Sequence, residues 1–210
     1  MKAFLIAFVA LAVATPPPHP ACAAADFTAQ YQELREREIV GFSHDLFIAG
    51  EYYRAITEAK RYLSLSPAGT QAPEMAKLIG DAYLMSHEWA EAIAAYDQFL
   101  AQYPASPLEN AATFYKGIAL EKQGNTAEAE RLFQFVASGA ARLKKSEAAR
   151  WEILLLIRQN RFEEAERLLK DRMLKPESER EESRTIEDLL RVKKAVQYKS
   201  PAAAGLLSAV

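Results

Sequence analysis

Four alanines recur along the chain at an almost constant interval, and this repeat limits the fold more than any other feature of the sequence. Each alanine follows a short break, as in GEYYRAI and again in HEWAEAI. The four are Ala55, Ala92, Ala129 and Ala165, spaced 37, 37 and 36 residues apart. A fixed period of this length is typical of proteins that stack one helical or mixed supersecondary unit several times.

Other positions repeat in step with the alanines. Five residues before each alanine stand Gly50, His87, Gly124 and Asn160, and Gly and Asn tolerate the left-handed backbone that ends a helix. Twelve residues before each alanine stand Ser43, Gly80, Gly117 and Ile153, of which three are small. Small residues mark places where two backbones approach closely. The pattern therefore predicts four helical hairpins, each built from two helices of about twelve to fourteen residues.

One unit carries the whole pattern. Residues 73–106 have a small, an aromatic or a proline residue at each repeated position, namely Gly80, Tyr83, Trp89, Ala92, Tyr96, Phe99 and Pro104. This arrangement resembles the tetratricopeptide repeat (TPR) family. The resemblance implies an all-α fold, a right-handed α-solenoid of about four helix-turn-helix repeats with a C-terminal capping helix. The solenoid would span 36–176, with repeats at about 36–69, 73–106, 110–143 and 146–179, and the capping helix 177–199.

The two ends of the chain differ from the repeats. Residues 1–23 have a Lys near the start, then an apolar run, and end in Ala21-Cys22-Ala23, an A-x-A-like cleavage signature. These are the features of a cleaved secretory signal peptide. An uncleaved anchor is the alternative, and Cys22 could instead carry a lipid. Residues 24–35 are expected to extend the first helix, and residues 200–210 form an apolar tail. This tail is similar to the ending of certain bacterial envelope TPR proteins, so the chain could stop before a membrane-associated region.

Composition excludes several function classes. The net charge is −2 and no basic cluster stands out, so nucleic acid is not an expected partner. The chain has three His and one Cys, without metal-ligand spacing, a phosphate-binding Gly loop or a nucleophile motif. We therefore predict no enzymatic activity, no catalytic residues, no cofactor and no metal. A hydrolase or transferase is the competing class, and it lacks a motif.

The resemblance implies a binding function. In TPR proteins the first helix of each repeat lines a concave groove that holds another protein or a peptide segment. Mapping that pattern onto this chain gives the following candidate groove residues: Val40, His44, Phe47, Lys77, Asp81, Leu84, Phe114, Ile118, Glu121, Arg150, Leu154 and Arg158. The Asn residues with which some TPR proteins clamp acidic chaperone tails are missing.

The signal sequence and the resemblance together predict a place in the cell. We expect a bacterial TPR scaffold that is secreted across the inner membrane and works in the periplasm or at the outer membrane. Its expected partner is another envelope protein. The alternative is a structural component tethered to the membrane, through a lipid on Cys22 or a missing hydrophobic C-terminal segment, with a role in outer-membrane assembly.

Overall fold

The computed structural model describes the backbone of residues 20–139, 144–172 and 180–197, and the side chains of 30–139, 144–171 and 185–194. The predicted signal peptide, apart from its last four residues, and the predicted apolar tail lie outside the described residues. The chain divides into two compact units, Met1–Glu38 and Ile39–Val210, each taken by itself below.

Helices account for the regular structure of the described residues, which contain no strand. The nine described helices, in chain order, are α1 Pro20–Ile48, α2 Tyr52–Leu65, α3 Ala72–Met85, α4 Trp89–Gln102, α5 Glu109–Gln123, α6 Thr126–Ser138, α7 Lys145–Arg158, α8 Phe162–Arg172 and α9 Arg180–Gln197. From α2 onward each helix packs on the next along the chain. The predicted all-α repeat solenoid is confirmed.

The described part of the first unit is the N-terminal portion of α1, which includes residues 24–35. Its side chains are mostly exposed, and Tyr31 and Leu34 are 61% and 56% exposed. Arg37 pairs with Glu33 one turn earlier at 2.8 Å, an exposed contact of the kind that adds little stability.

The repeated alanines hold the hairpins of the second unit together. Ala55, Ala92, Ala129 and Ala165 are all fully buried, each one turn into the second helix of its hairpin. A larger side chain at such a position would overpack the contact and push the two helices apart. The burial of all four confirms that the alanines occupy the same packed position in each hairpin.

The turns inside the hairpins share one backbone conformation. The residues five places before the alanines all have positive φ, which is 79° at Gly50, 64° at His87, 96° at Gly124 and 60° at Asn160. In each case the amide of the following residue donates a hydrogen bond back to the first helix, for example Asn125 N to the Leu120 carbonyl at 2.8 Å. This left-handed residue reverses the chain at the end of the first helix, as the sequence pattern predicts.

Glycines in the first helices face aromatic rings of the second helices. A Cβ on Gly80 would lie 2.6 Å from Tyr96 Cε1, and one on Gly117 would lie 2.8 Å from Phe133 Cε1. Both rings are fully buried. The two middle hairpins therefore combine the absence of a side chain on one helix with a large ring on the other.

The C-terminal helix α9 covers the last hairpin. Ile186 and Leu190, one turn apart, are buried and pack in one cluster with Phe162, Ala165 and Leu169. Among the described residues, no helix combines the length and the apolar character that crossing a bilayer would need.

Candidate peptide-binding groove

Three of the predicted groove residues lie around one cavity. His44 on α1 and Lys77 and Asp81 on α3 line a space of about 470 Å³ that also reaches the connection before α5. The other lining residues come from α3 and from the connections before α3 and α5: Thr70, Gln71, Pro73, Glu74, Leu78, Ser106, Pro107 and Leu108. The first helices α1 and α3 thus line one cavity.

The charged groups of this cavity are arranged in pairs. His44 Nε2 lies 3.0 Å from Glu74 Oε1, which joins α1 to α3. Lys77 Nζ lies 2.6 Å from Asp81 Oδ2, and the two side chains are only 13% and 22% exposed. The Tyr96 hydroxyl of α4 donates a hydrogen bond of 2.7 Å to the other Asp81 oxygen. Burial, and then the neighbouring Asp81 carboxylate, raise the pKa of Tyr96 well above its usual value.

A half-buried tyrosine continues the surface into the next hairpins. The Tyr115 ring on α5 has Lys77 Nζ 4.8 Å from its centroid and Lys144 Nζ 5.2 Å from it. Lys144 is the residue before α7, adopts a left-handed backbone with φ 62°, and pairs with Glu147 at 3.1 Å. Burial lowers the pKa of Lys144, but hydrogen bonds to Tyr115 and Glu147 outweigh it, so that pKa is raised overall. Tyr115, in the third hairpin, thus lies between charged groups of the second and fourth hairpins.

Phe114 does not lie on this accessible surface. It is 3% exposed, and its ring packs 5.7 Å from Phe133 and 5.3 Å from Tyr115. The structure therefore places Phe114 in the core between α5 and α6, where it cannot contact a partner. The residue that the sequence mapping missed is its neighbour Tyr115, and the signal for it was the adjacency of two aromatic residues on a helix with one buried face.

Two further predicted residues bind each other. Glu121 on α5 forms an ion pair with Arg158 on α7, 37 residues later, through its Oε1. The Glu121 side chain is 2% exposed, whereas that of Arg158 is 62% exposed. Glu121 Oε2 accepts no hydrogen bond from the described residues, although Lys122 Nζ lies 3.5 Å from it. The pair ties successive first helices together, and Glu121 is too buried to meet a partner directly.

The rest of the predicted set is partly accessible. Its apolar members are half-buried against the core clusters of their own hairpins, namely Val40, Phe47, Leu84, Ile118 and Leu154. Arg150 is half-buried as well. None of them lines the cavity, and their part in binding stays a prediction.

The cavity is lined by paired charged groups, neutral polar groups and apolar side chains. Among the residues that the structure describes, no group of three His, Cys, Asp or Glu side chains is placed to hold a metal ion. Stacked helical hairpins with a cavity lined by α1 and α3 define a helical-repeat protein.

Comparison with known proteins places these repeats in a family. Residues 77–141 match the family model of the tetratricopeptide repeat, so this part of the chain is a tetratricopeptide repeat region. Proteins of this fold are typically non-catalytic and bind other proteins or peptides. A search of curated proteins gives no significant match.

Solved structures of TPR proteins resemble the chain in fold. A tetratricopeptide repeat protein from Parabacteroides merdae superposes with a TM-score of 0.65 at 17% identity, over 82% of this chain and 66% of its own. This chain therefore spans about two thirds of the length of that protein. The TPR-like repeats ascribed to a kinesin light chain of Podosopora anserina, in a single-substitution form, give 0.62 at 14% identity, over 83% of this chain and 92% of theirs. Identities this low show a common fold alone.

Proposed function

We propose that this protein is a scaffold of the bacterial cell envelope that binds an extended segment of another envelope protein along the first-helix face of α1, α3, α5 and α7. The observation that carries the proposal is the cavity at which His44, Lys77 and Asp81 meet. Side chains from two hairpins and the connection to a third contribute to it, so one ligand could contact several repeats at once. Concave sites with a few convergent polar groups are the usual form of binding sites in proteins.

Apolar groups on the first helices support an extended ligand. Leu84, Ile118 and Leu154 are half-buried on three successive first helices, so each keeps some surface for a partner. Extended peptides commonly bind through main-chain hydrogen bonds together with a few apolar anchors in grooves. The paired charges and the aliphatic residues of this face offer both kinds of contact.

The envelope location rests on the sequence of the N-terminus. Residues 1–23 have a basic start, an apolar run too short for a stable membrane span and small residues before a break. Mass spectrometry of the mature protein tests this location. A mature N-terminus at Ala24 or Asp26 supports an exported scaffold, and an acylated Cys22 supports the alternative of a membrane-tethered component. An intact Met1 terminus would contradict export.

Capture of partners by matched variants tests the binding face. The tagged protein would be used to isolate partners from envelope extracts of the organism that encodes it. Tyr115→Ala changes a half-buried ring in the groove, and Phe135→Ala changes a ring that is 56% exposed on the second helix α6. We expect Tyr115→Ala to reduce the recovered partner at least about tenfold, because aromatic residues often dominate interfaces. Equal recovery by both variants would contradict the proposed face.

A further inference from the structure

The cavity between α1, α3 and the start of α5 holds charged groups that already satisfy one another. His44 pairs with Glu74 at 3.0 Å, and Lys77 pairs with Asp81 at 2.6 Å. The second Asp81 oxygen accepts the Tyr96 hydroxyl. These two pairs are the charged or ionisable groups among the residues that line the cavity. Each carboxylate has one basic partner, so the lining has no surplus of cations to attract an acidic ligand.

The inner pair resists rearrangement. Lys77 and Asp81 are mostly buried, and the Lys77 ammonium also lies over the Tyr115 ring. A carboxylate that took Lys77 for itself would leave Asp81 buried with only the Tyr96 hydroxyl as partner. Removing one partner of a buried ion pair is strongly unfavourable, whereas an exposed pair contributes little and is easily broken. A charged ligand therefore gains little here.

Apolar groups form much of the remaining lining, beside the neutral polar residues Thr70, Gln71 and Ser106. Pro73 lies in the first turn of α3 and Pro107 just before α5, and Leu78 and Leu108 are the other apolar lining residues. Rigid proline rings and leucine side chains give a surface that suits a bulky apolar side chain. The volume of about 470 Å³ lies within the range of about 300–1,000 Å³ found for ligand sites.

We propose that this cavity receives a bulky apolar side chain from an uncharged stretch of the partner, while the more exposed His44–Glu74 pair hydrogen-bonds to the partner's backbone. The proposal rests on the proposed scaffold function and adds the chemistry of its ligand. It distinguishes this groove from one that recognises acidic segments, for which a surplus of cations would be needed.

Selection from a library of displayed random peptides about ten residues long tests the ligand chemistry. We expect the enriched peptides to carry a Leu, Ile, Phe or Pro anchor and a net charge near zero. Their dissociation constants should change less than about twofold when NaCl is raised from about 50 mM to about 500 mM, since screening acts on charge attraction. Enrichment of acidic or basic peptides whose binding weakens about tenfold or more over that range would overturn the inference.

A matched pair of tryptophan variants tests the location. Gln71 lines the cavity, is exposed and makes no side-chain capping bond at the start of α3, so Gln71→Trp fills the mouth without disturbing the core. Gln98→Trp makes the same change at an exposed position on α4. We expect the first variant to weaken the selected peptides at least about tenfold and the second to leave them unchanged, with both folded by circular dichroism.

The outcomes separate this inference from the scaffold function. Peptides that bind Gln71→Trp as tightly as the natural protein would overturn the cavity assignment, and failure to enrich any peptide would overturn it too. The proposed scaffold would stand in either case if Tyr115→Ala still reduced capture of the partner. Loss of both the selected peptides and the Tyr115 dependence would contradict both proposals.

Discussion

The ring of Tyr96 lies directly against the backbone at Gly80, so close that a Cβ added there would be 2.6 Å from Tyr96 Cε1. The ring is fully buried, and its hydroxyl donates to Asp81 one residue further along the same first helix. Packing in the core and the geometry of the groove are thus connected through one side chain. The absence of a side chain at Gly80 lets Tyr96 reach Asp81, and Asp81 in turn holds Lys77.

Gly80→Ala should therefore destabilise the protein by about 1–3 kcal/mol, the usual cost of overpacking a core. The ring cannot move aside easily because it is buried and hydrogen-bonded. Gly41→Ala is the matched control, since Gly41 lies within α1 and a Cβ there meets nothing within 4 Å. The control should be neutral or stabilise by up to about 1 kcal/mol, because Ala favours helices over Gly. Chemical unfolding would measure both, and equal effects would contradict this packing.

The hairpin turns make a prediction about backbone conformation alone. Gly124 has φ 96°, and a Cβ there would meet nothing within 4 Å, so crowding plays no part. Gly124→Ala should cost about 1–2 kcal/mol, the penalty of a left-handed alanine. Gly124→Asn should cost less, since Asn tolerates this region and Asn160 occupies it in the fourth hairpin. The two free energies of unfolding decide the matter, and an equal loss for both would show that the turn does not need the left-handed conformation.

Pairing between first helices gives a third prediction. Arg158→Ala leaves the buried Glu121 carboxylate with only Lys122 nearby, so we expect a loss of about 1–3 kcal/mol. Arg191→Ala is the control, because it removes an arginine–aspartate pair with Asp188 in which both side chains are more than half exposed. It should change the free energy of unfolding by less than about 1 kcal/mol. A comparable effect of the two substitutions in urea unfolding would mean that burial of Glu121 does not matter.

The stabilising contact between α8 and α9 should depend on pH. Hydrogen bonds from Lys170 and then Lys194 lower the pKa of Glu166 from 4.5 to about 2, and Lys194 lies on α9. Because the folded pKa is the lower one, the stabilisation is complete above about pH 4.5 and is lost as the pH falls towards 2. At about pH 6 the natural protein should have a higher melting temperature than the Glu166→Gln variant. This difference in melting temperature should vanish near about pH 2. A difference that stays constant over this range would contradict the linkage.

The sequence predicts the hairpins and their turns well because these depend on residue size and backbone conformation, which are local. Fully buried Ala92 and left-handed Gly124 follow from position in the repeat alone. The exact face of each first helix is less predictable. Phe114 and Tyr115 are neighbours, and successive helical residues point about 100° apart, so one step separates the core from the groove.

Contacts between repeats were also beyond the sequence pattern. The Glu121–Arg158 pair and the position of Tyr115 near Lys77 and Lys144 depend on how far apart packing holds successive first helices. Nothing in the spacing of single residues encodes that distance. The sequence mapping therefore assigned two buried residues, Phe114 and Glu121, to the accessible surface.

The central claim is that a partner protein binds the first-helix face, and site-specific photo-crosslinking in living cells tests it most directly. A photoreactive phenylalanine would replace Tyr115 in the groove in one strain and Phe135 on the outer face of α6 in another. The account predicts a discrete crosslinked species with an envelope protein from position 115 and none from position 135. Crosslinking from position 135 alone, or from neither position, would contradict it.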